Sequence, residues 1–466
     1  MNFPAFSLLA RWILSVGVVL VFSGRARAAE SVIRAEVFDP GYVEGDSNYH
    51  CLTAASNGKL YFGINSHQPA ASVRLYRFDP QTELMALVAD VSEVLGVDPA
   101  EEIVHGKIHT PLIEFEDALY FATHTSQYDG NLPMMAPSDG RRPYAGGHFM
   151  RMDLGTETLE DIAQLSLPNE GIITMALDPV QKTLYGLTWP TGLLISYNLE
   201  EGLLHNWGAV HDRGEWGPIG TEWDFICRRL GTDGDGTIYG STNTGKIWRF
   251  ERGAQRPVDF YAQLDLDAVP ALQSETFKSE PEAHYFWRNW RTIVWNEKTD
   301  SFWGLHGGSS QLFEFSPKAG TLRSVRPMIP DGLASGRRNA MRTQLGLMLG
   351  PQNTLFYLAH GPSMAVADRR PVKASVHLLT YEIDTDTFKD HGPIEGPDGQ
   401  RIFFTESIEI GADGRIYSLA WVETVDEDRM ALVQRARGLA VPEETEEAVY
   451  EMQLVRLPQW DSFIHQ

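Results

Sequence analysis

Cysteine is the scarcest chemistry-bearing residue in this chain: Cys51 and Cys227 are the whole complement of 466 residues. That scarcity excludes a disulfide-stapled scaffold, a Cys-x-x-Cys-His haem attachment and any Cys/His zinc spacing. A chain of this size buries enough apolar surface to stand without staples, so no bridge between the two is expected. Long hydrophobic runs are missing too: after Phe22 no apolar stretch approaches the ~20 residues that a membrane-spanning helix requires. There is no Gly-x-Ser-x-Gly elbow, no phosphate-binding Gly-Lys-Ser/Thr loop and no His-Glu-x-x-His. Serine hydrolase, nucleotide and zincin readings therefore lack local support.

Positive charge is also short. Met1 to Ala28 carries Arg11, an apolar run from Trp12 to Phe22 and a small-x-small site at Ala26-Arg27-Ala28, the make-up of a secretory signal peptide. No cysteine stands near the cleavage point, so a lipoprotein anchor is not expected. The expectation is a periplasmic or secreted protein in which residues 29–466 form one domain. Removing Arg11, Arg25 and Arg27 with the signal leaves 36 basic residues against 62 acidic ones, a net charge of −26. A field of that sign opposes nucleic acid and anionic membranes. An anionic ligand needs a local cluster of Arg and His to reverse it.

What is present in abundance is a repeat. Seven phrases place a turn residue before an aliphatic–aromatic pair, led by Leu60, Leu119, Leu184, Ile238, Phe302, Leu355 and Ile416 at intervals of 59, 65, 54, 64, 53 and 61 residues. Further short apolar strands with period-two alternation flank each copy, as at Leu75-Tyr76-Arg77-Phe78 and Ile247-Trp248-Arg249-Phe250. Turns such as Asn57-Gly58 and Asp79-Pro80 separate them, which reads as antiparallel meanders. Seven four-stranded meanders predict an all-β fold, a seven-bladed β-propeller closed into a ring. Ser31 to Phe38 is expected to supply the outermost strand of the last blade. At about 63 residues each, the blades exceed the ~40–45 of a WD40 repeat.

The surplus length falls on one face. First-to-second strand turns are tight, at Ser56-Asn57-Gly58, Asp233-Gly234-Asp235-Gly236 and Ala412-Asp413-Gly414. Loops between second and third strands are long at 125–147, 362–375 and 423–448, as are blade-to-blade connections at 211–224 and 264–285. Asp233 to Gly236 lacks the ligand spacing of a calcium loop and is read as a turn. The acidic stretch from Val425 to Tyr450 is read as a solvated insert with a helical segment around Arg429 to Arg437. Sites are usually built on loops held by a rigid scaffold. Innermost strands start on the loop-rich face, with His50, His109, Arg228, Arg291 and Glu406 in register and Gln344 close by. Second strands end there at Asn65, His124, Trp189, Asn243, His306, His360 and Trp421. Charged and imidazole groups in such strands would be desolvated unless they face water or a ligand.

An anionic, uronate-containing oligo- or polysaccharide suits this constellation, and the chain is expected to act on it as a monomer. β-Elimination would use Arg228 and Arg291 to neutralise the carboxylate, His109 or His124 as the base, and Tyr128 or Tyr144 as the acid. Trp189 and Trp421 would stack on sugar rings, while His50, His306, His360 and Glu406 would bind substrate. The histidines also leave a divalent metal open, although none is placed at His-x-His or another close spacing, and no cofactor or metal site is assigned.

The phrase Gly106-Lys107-Ile108-His109-Thr110, followed by Phe121-Ala122-Thr123-His124, resembles the seven-bladed propeller polysaccharide lyases of the ulvan lyase and rhamnose–glucuronate lyase type. The resemblance implies uronate elimination with His109, His124 and Arg228 at the propeller mouth. The closely spaced metal-binding histidines of manganese-dependent oligogalacturonate lyases have no counterpart here. Two other readings stay open: a non-catalytic propeller that binds a sugar or a protein, and a lactonase-like propeller. Lactonase-type propellers usually have six blades and a channel calcium held by Asp, Asn and Glu; Asn65, Asn243 and Glu406 keep that reading alive, and the blade count argues against it.

Overall fold

The computed structural model describes residues 32–464, apart from 130–131, 134–136, 211–212, 216–224, 262–288, 308, 331–342, 361–374 and 439–448. The signal segment and most of the long loops named above lie outside the described residues. The described chain forms seven antiparallel blades arranged as a β-propeller. Each of the seven repeat phrases is the second strand of a blade, from Leu60–Ile64 in blade 1 to Arg415–Glu423 in blade 7.

The repeat is legible because the second strand is buried on both faces. Alternate side chains along a strand point to opposite sides, and in a propeller each side meets a neighbouring blade. Leu60, Phe62 and Ile64 pack with Tyr417 and Leu419 of blade 7, while Tyr61 packs with Leu119 and Phe121 of blade 2. The core is therefore a ring of clusters between blades. Burying one such side chain is worth about 1.5–3 kcal/mol, and the ring multiplies that term seven times. Outermost strands such as Leu84–Asp90 and Leu203–Ala209 hold only half-buried and exposed residues, since they have no further strand outside them.

The tight turns share one device. Gly58, Gly236 and Gly414 have φ of 80°, 83° and 75°, a region that only glycine enters freely. The preceding Asn57, Asp233 and Asp413 side chains meet the hydroxyls of Tyr61, Tyr239 and Tyr417 at 3.0, 3.0 and 2.8 Å.

Ring closure follows the expectation in part. Glu36–Phe38 pairs antiparallel with Tyr450–Gln459 as the outermost strand of blade 7. Glu36 is held by Arg456 and by Arg415, the latter at 3.0 Å. The two residues before it leave that blade: Ile33–Arg34 pairs parallel with blade 6 as a fifth strand, and Ala35 N–H donates to Glu395 O at 2.9 Å. The N-terminal segment thus fastens two blades. The acidic insert carries a helix, Glu427–Ala436, capped by Asp426 accepting from Arg429 N–H; its glutamates 443–447 lie outside the described residues. No helix among the described residues is long and apolar enough to cross a membrane.

Candidate functional site

Innermost strands bring charged groups to the central channel by starting with residues that are not yet locked into the ladder. In blade 7 the inner strand is broken into Ile402–Thr405 and Glu409–Ile410, which frees Glu406 to turn inward. Its two carboxylate oxygens take Arg291 at 3.0 Å and Leu345 N–H at 2.7 Å. Arg228 pairs with Glu215 at 2.5 Å, and Glu215 also accepts from Ile226 N–H and from the Trp189 indole at 3.0 and 2.6 Å. Both pairs are almost fully buried. They join blade 5 to blade 7 and blade 4 to the connection that precedes it.

Between the pairs stands Tyr49. His109 stacks on its ring at 4.5 Å between centroids, and Lys107 Nζ lies 5.5 Å from the ring centre. Lys107 and His109 are two residues apart, so they share one side of an extended segment. Burial pushes the Lys107 ammonium down to about 7; Arg228 adds to the shift, while Asp46 and Glu215 oppose it. Burial also carries the Tyr49 phenol up to about 12. His109 Nδ1 sits 2.9 Å from Ile173 O. A carbonyl only accepts, so the ring proton is on Nδ1 and Nε2 keeps its lone pair. Burial, then the nearby Arg228, His124, Lys107 and Arg291, holds this imidazole well below its usual range and neutral.

The remaining expected residues disperse. His124 is 1% exposed and packs against Trp189 at 5.0 Å and over Gly171. His306 meets Ser309 Oγ at 3.1 Å, and His360 Nε2 accepts from Thr405 N–H at 2.9 Å. Trp189 is buried, and Trp421 has Phe404 on one side and Tyr450 on the other at 4.2 and 4.1 Å. Tyr128 begins a short ribbon, Tyr128–Asp129, and its side chain lies outside the described residues. Tyr144 is bonded to His105 at 3.0 Å. His50 does not join His109. It takes φ of 54°, a strained value for a non-glycine residue, and lines the opposite compartment of the channel beside Arg229.

Among the described residues no group of three His, Cys, Asp or Glu is placed to hold a metal ion. The calcium set weighed above does not fit: Asn65 Oδ1 accepts from Ile108 N–H at 2.9 Å and Glu406 is spent on Arg291 and Leu345. Cys51 and Cys227 are both free and buried.

No protein-family model matches the chain, and no curated protein matches it. Solved structures do. A protein from Lactobacillus plantarum is 9% identical with a TM-score of 0.51, the match covering 86% of this chain and 99% of that one. A periplasmic gluconolactonase from Pseudomonas aeruginosa is 11% identical with a TM-score of 0.52, covering 86% and 99%. A putative 6-phosphogluconolactonase from Bacteroides uniformis is 11% identical at 0.49, covering 85% and 98%. At these identities the likeness is one of fold. The lyase expectation is corrected: neither the Lactobacillus plantarum protein nor the Pseudomonas aeruginosa gluconolactonase is described as a polysaccharide lyase. The geometry agrees, since His124 is sealed between blades and Trp421 has both ring faces covered, leaving elimination without its second histidine and one of its stacking platforms.

Proposed function

We propose that the protein hydrolyses a sugar lactone, an aldonolactone, at the loop-side mouth of its channel. The observation that carries this reading is the buried Lys107 amine, sharing the Tyr49 ring with a neutral His109 and lying within the fields of Arg228 and Glu215. Ester hydrolysis needs a base for water and donors for the oxyanion. Neutral Lys107 takes a proton from water as its oxygen bonds to the lactone carbonyl carbon. The tetrahedral alkoxide is held by the Arg228 and Arg291 guanidiniums, and the Lys107 ammonium returns the proton to the ring oxygen as the C–O bond breaks. His109 Nε2 accepts from a substrate hydroxyl. A base near pKa 7 is matched to neutral pH. The name of the Pseudomonas neighbour supports both the substrate class and, together with the signal-like N-terminus, a periplasmic location.

The test is proton release from D-glucono-1,5-lactone, corrected for spontaneous opening. Catalysis is expected to rise as pH passes about 7, and Lys107→Met is expected to lower kcat/KM by about 100-fold or more. A wild-type rate equal to the spontaneous one, or an unaffected Lys107→Met, overturns the reading.

A further inference from the structure

On the other side of His50 the channel widens into a cavity of 560 Å³ that runs to Gly350 and Ile410, at the ends of the inner strands where the tight turns lie. This size is that of a small-molecule site. Its wall is mixed: Leu52, Val294, Leu347 and Ile408 stand beside polar groups that include Thr53, Ser407 and Glu409. Arg229, His50 and Trp295 also stand in it. Arg229 has its guanidinium 3.5 Å from His50 Nδ1 and forms no ion pair among the described residues. The His50 ring also donates to the Arg228 backbone carbonyl. Trp295 Nε1 is buried without a hydrogen-bond partner. A buried guanidinium without an ion pair is costly, and its place in the wall of an open cavity points to an anionic ligand.

We infer that this cavity is a second site, separate from the lactone mouth, for a small monocarboxylate with an apolar body. The carboxylate lies against Arg229, and the body fills the space between Leu52, Val294 and Leu347. One negative charge suits one unpaired guanidinium. A doubly charged phosphate would set a second negative charge against Glu409, the sole carboxylate among the described lining residues.

Calorimetric titration of the full protein with sodium benzoate, phenylacetate and hexanoate, against benzamide as the uncharged control, tests this. At least one carboxylate is expected to bind while benzamide does not. Arg229→Gln is expected to weaken binding about tenfold or more, and Glu409→Gln to tighten it. Thr53→Trp, which fills the lumen from a half-buried lining position, is expected to abolish it and serves if Arg229→Gln does not fold. Lys107→Met is expected to leave it unchanged, so this site and the lactone reading can fail separately. Absence of binding by all three up to about 10 mM, or equal binding by Arg229→Gln and Thr53→Trp, overturns the proposal.

Discussion

On the loop side of the channel Arg228 and Arg291 each grip a buried carboxylate, at 2.5 and 3.0 Å. On the turn side Arg229, one residue along from Arg228, has no such partner among the described residues and lines an open cavity beside Glu409. The first arrangement is satisfied internally and holds its guanidiniums in fixed places, as a pre-organised catalytic surface requires. The second leaves donors unsatisfied, as a binding site does before its ligand arrives. The same two residue types, Arg and Glu, are thus locked together as ion pairs above His50 and stand apart in the wall of a cavity below it.

The largest expected effect comes from breaking the paired side. Glu406→Gln leaves Arg291 buried beside a neutral group, and removing one member of a buried pair costs about 3–5 kcal/mol. Glu409→Gln breaks no ion pair and is expected to change stability by about 0.5 kcal/mol or less at pH 5, where its carboxyl is already protonated. Urea unfolding of the two variants measures the difference; equal losses would erase the distinction between the compartments.

The pH dependence of stability sharpens it next, because the two sides carry shifts of opposite sign. Lys107 is lowered from 10.5 to about 7. Between those values the unfolded chain holds the proton and the folded one does not, so stability rises with pH across that window. Glu409 is raised from 4.5 to about 7, chiefly by burial. Here the folded chain holds the extra proton, so the contribution is full below 4.5 and is lost as pH climbs through 7. Relative to Lys107→Met, the wild type should gain stability from pH 7 to 10; relative to Glu409→Gln, it should lose stability from pH 4.5 to 7. Unfolding curves collected across both ranges show whether each slope disappears in its own variant.

The blades were readable from sequence because their second strands are buried on both faces and so repeat as uninterrupted apolar phrases, Leu60-Tyr61-Phe62 being one of seven. His109, Arg228, Arg291 and Glu406 were found by register against those phrases. Lys107 was passed over although it sits two residues before His109, on the same side of the segment; its pKa is lowered first by burial and then by Arg228, and neither can be read from the residues beside it. Glu215 stands in a blade-to-blade connection with no periodicity to mark it. His50 was in register with His109 and still lines the other compartment, a reversal tied to its φ of 54° that no residue pattern announces. Trp189 and Trp421 pack inward for a simpler reason: an aromatic at the end of a second strand has neighbouring blades on both sides to pack against.

The smallest expected effects lie in two glycines, and they compare how tightly the compartments are walled. Gly171 begins the inner strand of blade 3; a Cβ there would lie 2.0 Å from His124 Nδ1, in a ring already held by Trp189. Gly171→Ala must displace that ring and is expected to cost about 1–3 kcal/mol. Gly346 lies between Leu345 and Leu347, both of which line the lower cavity. A Cβ on it would meet Ser407 at 3.4–3.5 Å, ordinary contact, and its φ is not in the left-handed region. Gly346→Ala therefore restricts the unfolded chain without straining the folded one, and is expected to stabilise by about 0.4–1 kcal/mol. Thermal unfolding of the pair reads the difference directly. Equal destabilisation would mean that the lower channel is packed as closely as the blade interface behind His124, leaving less room for a ligand than its 560 Å³ implies.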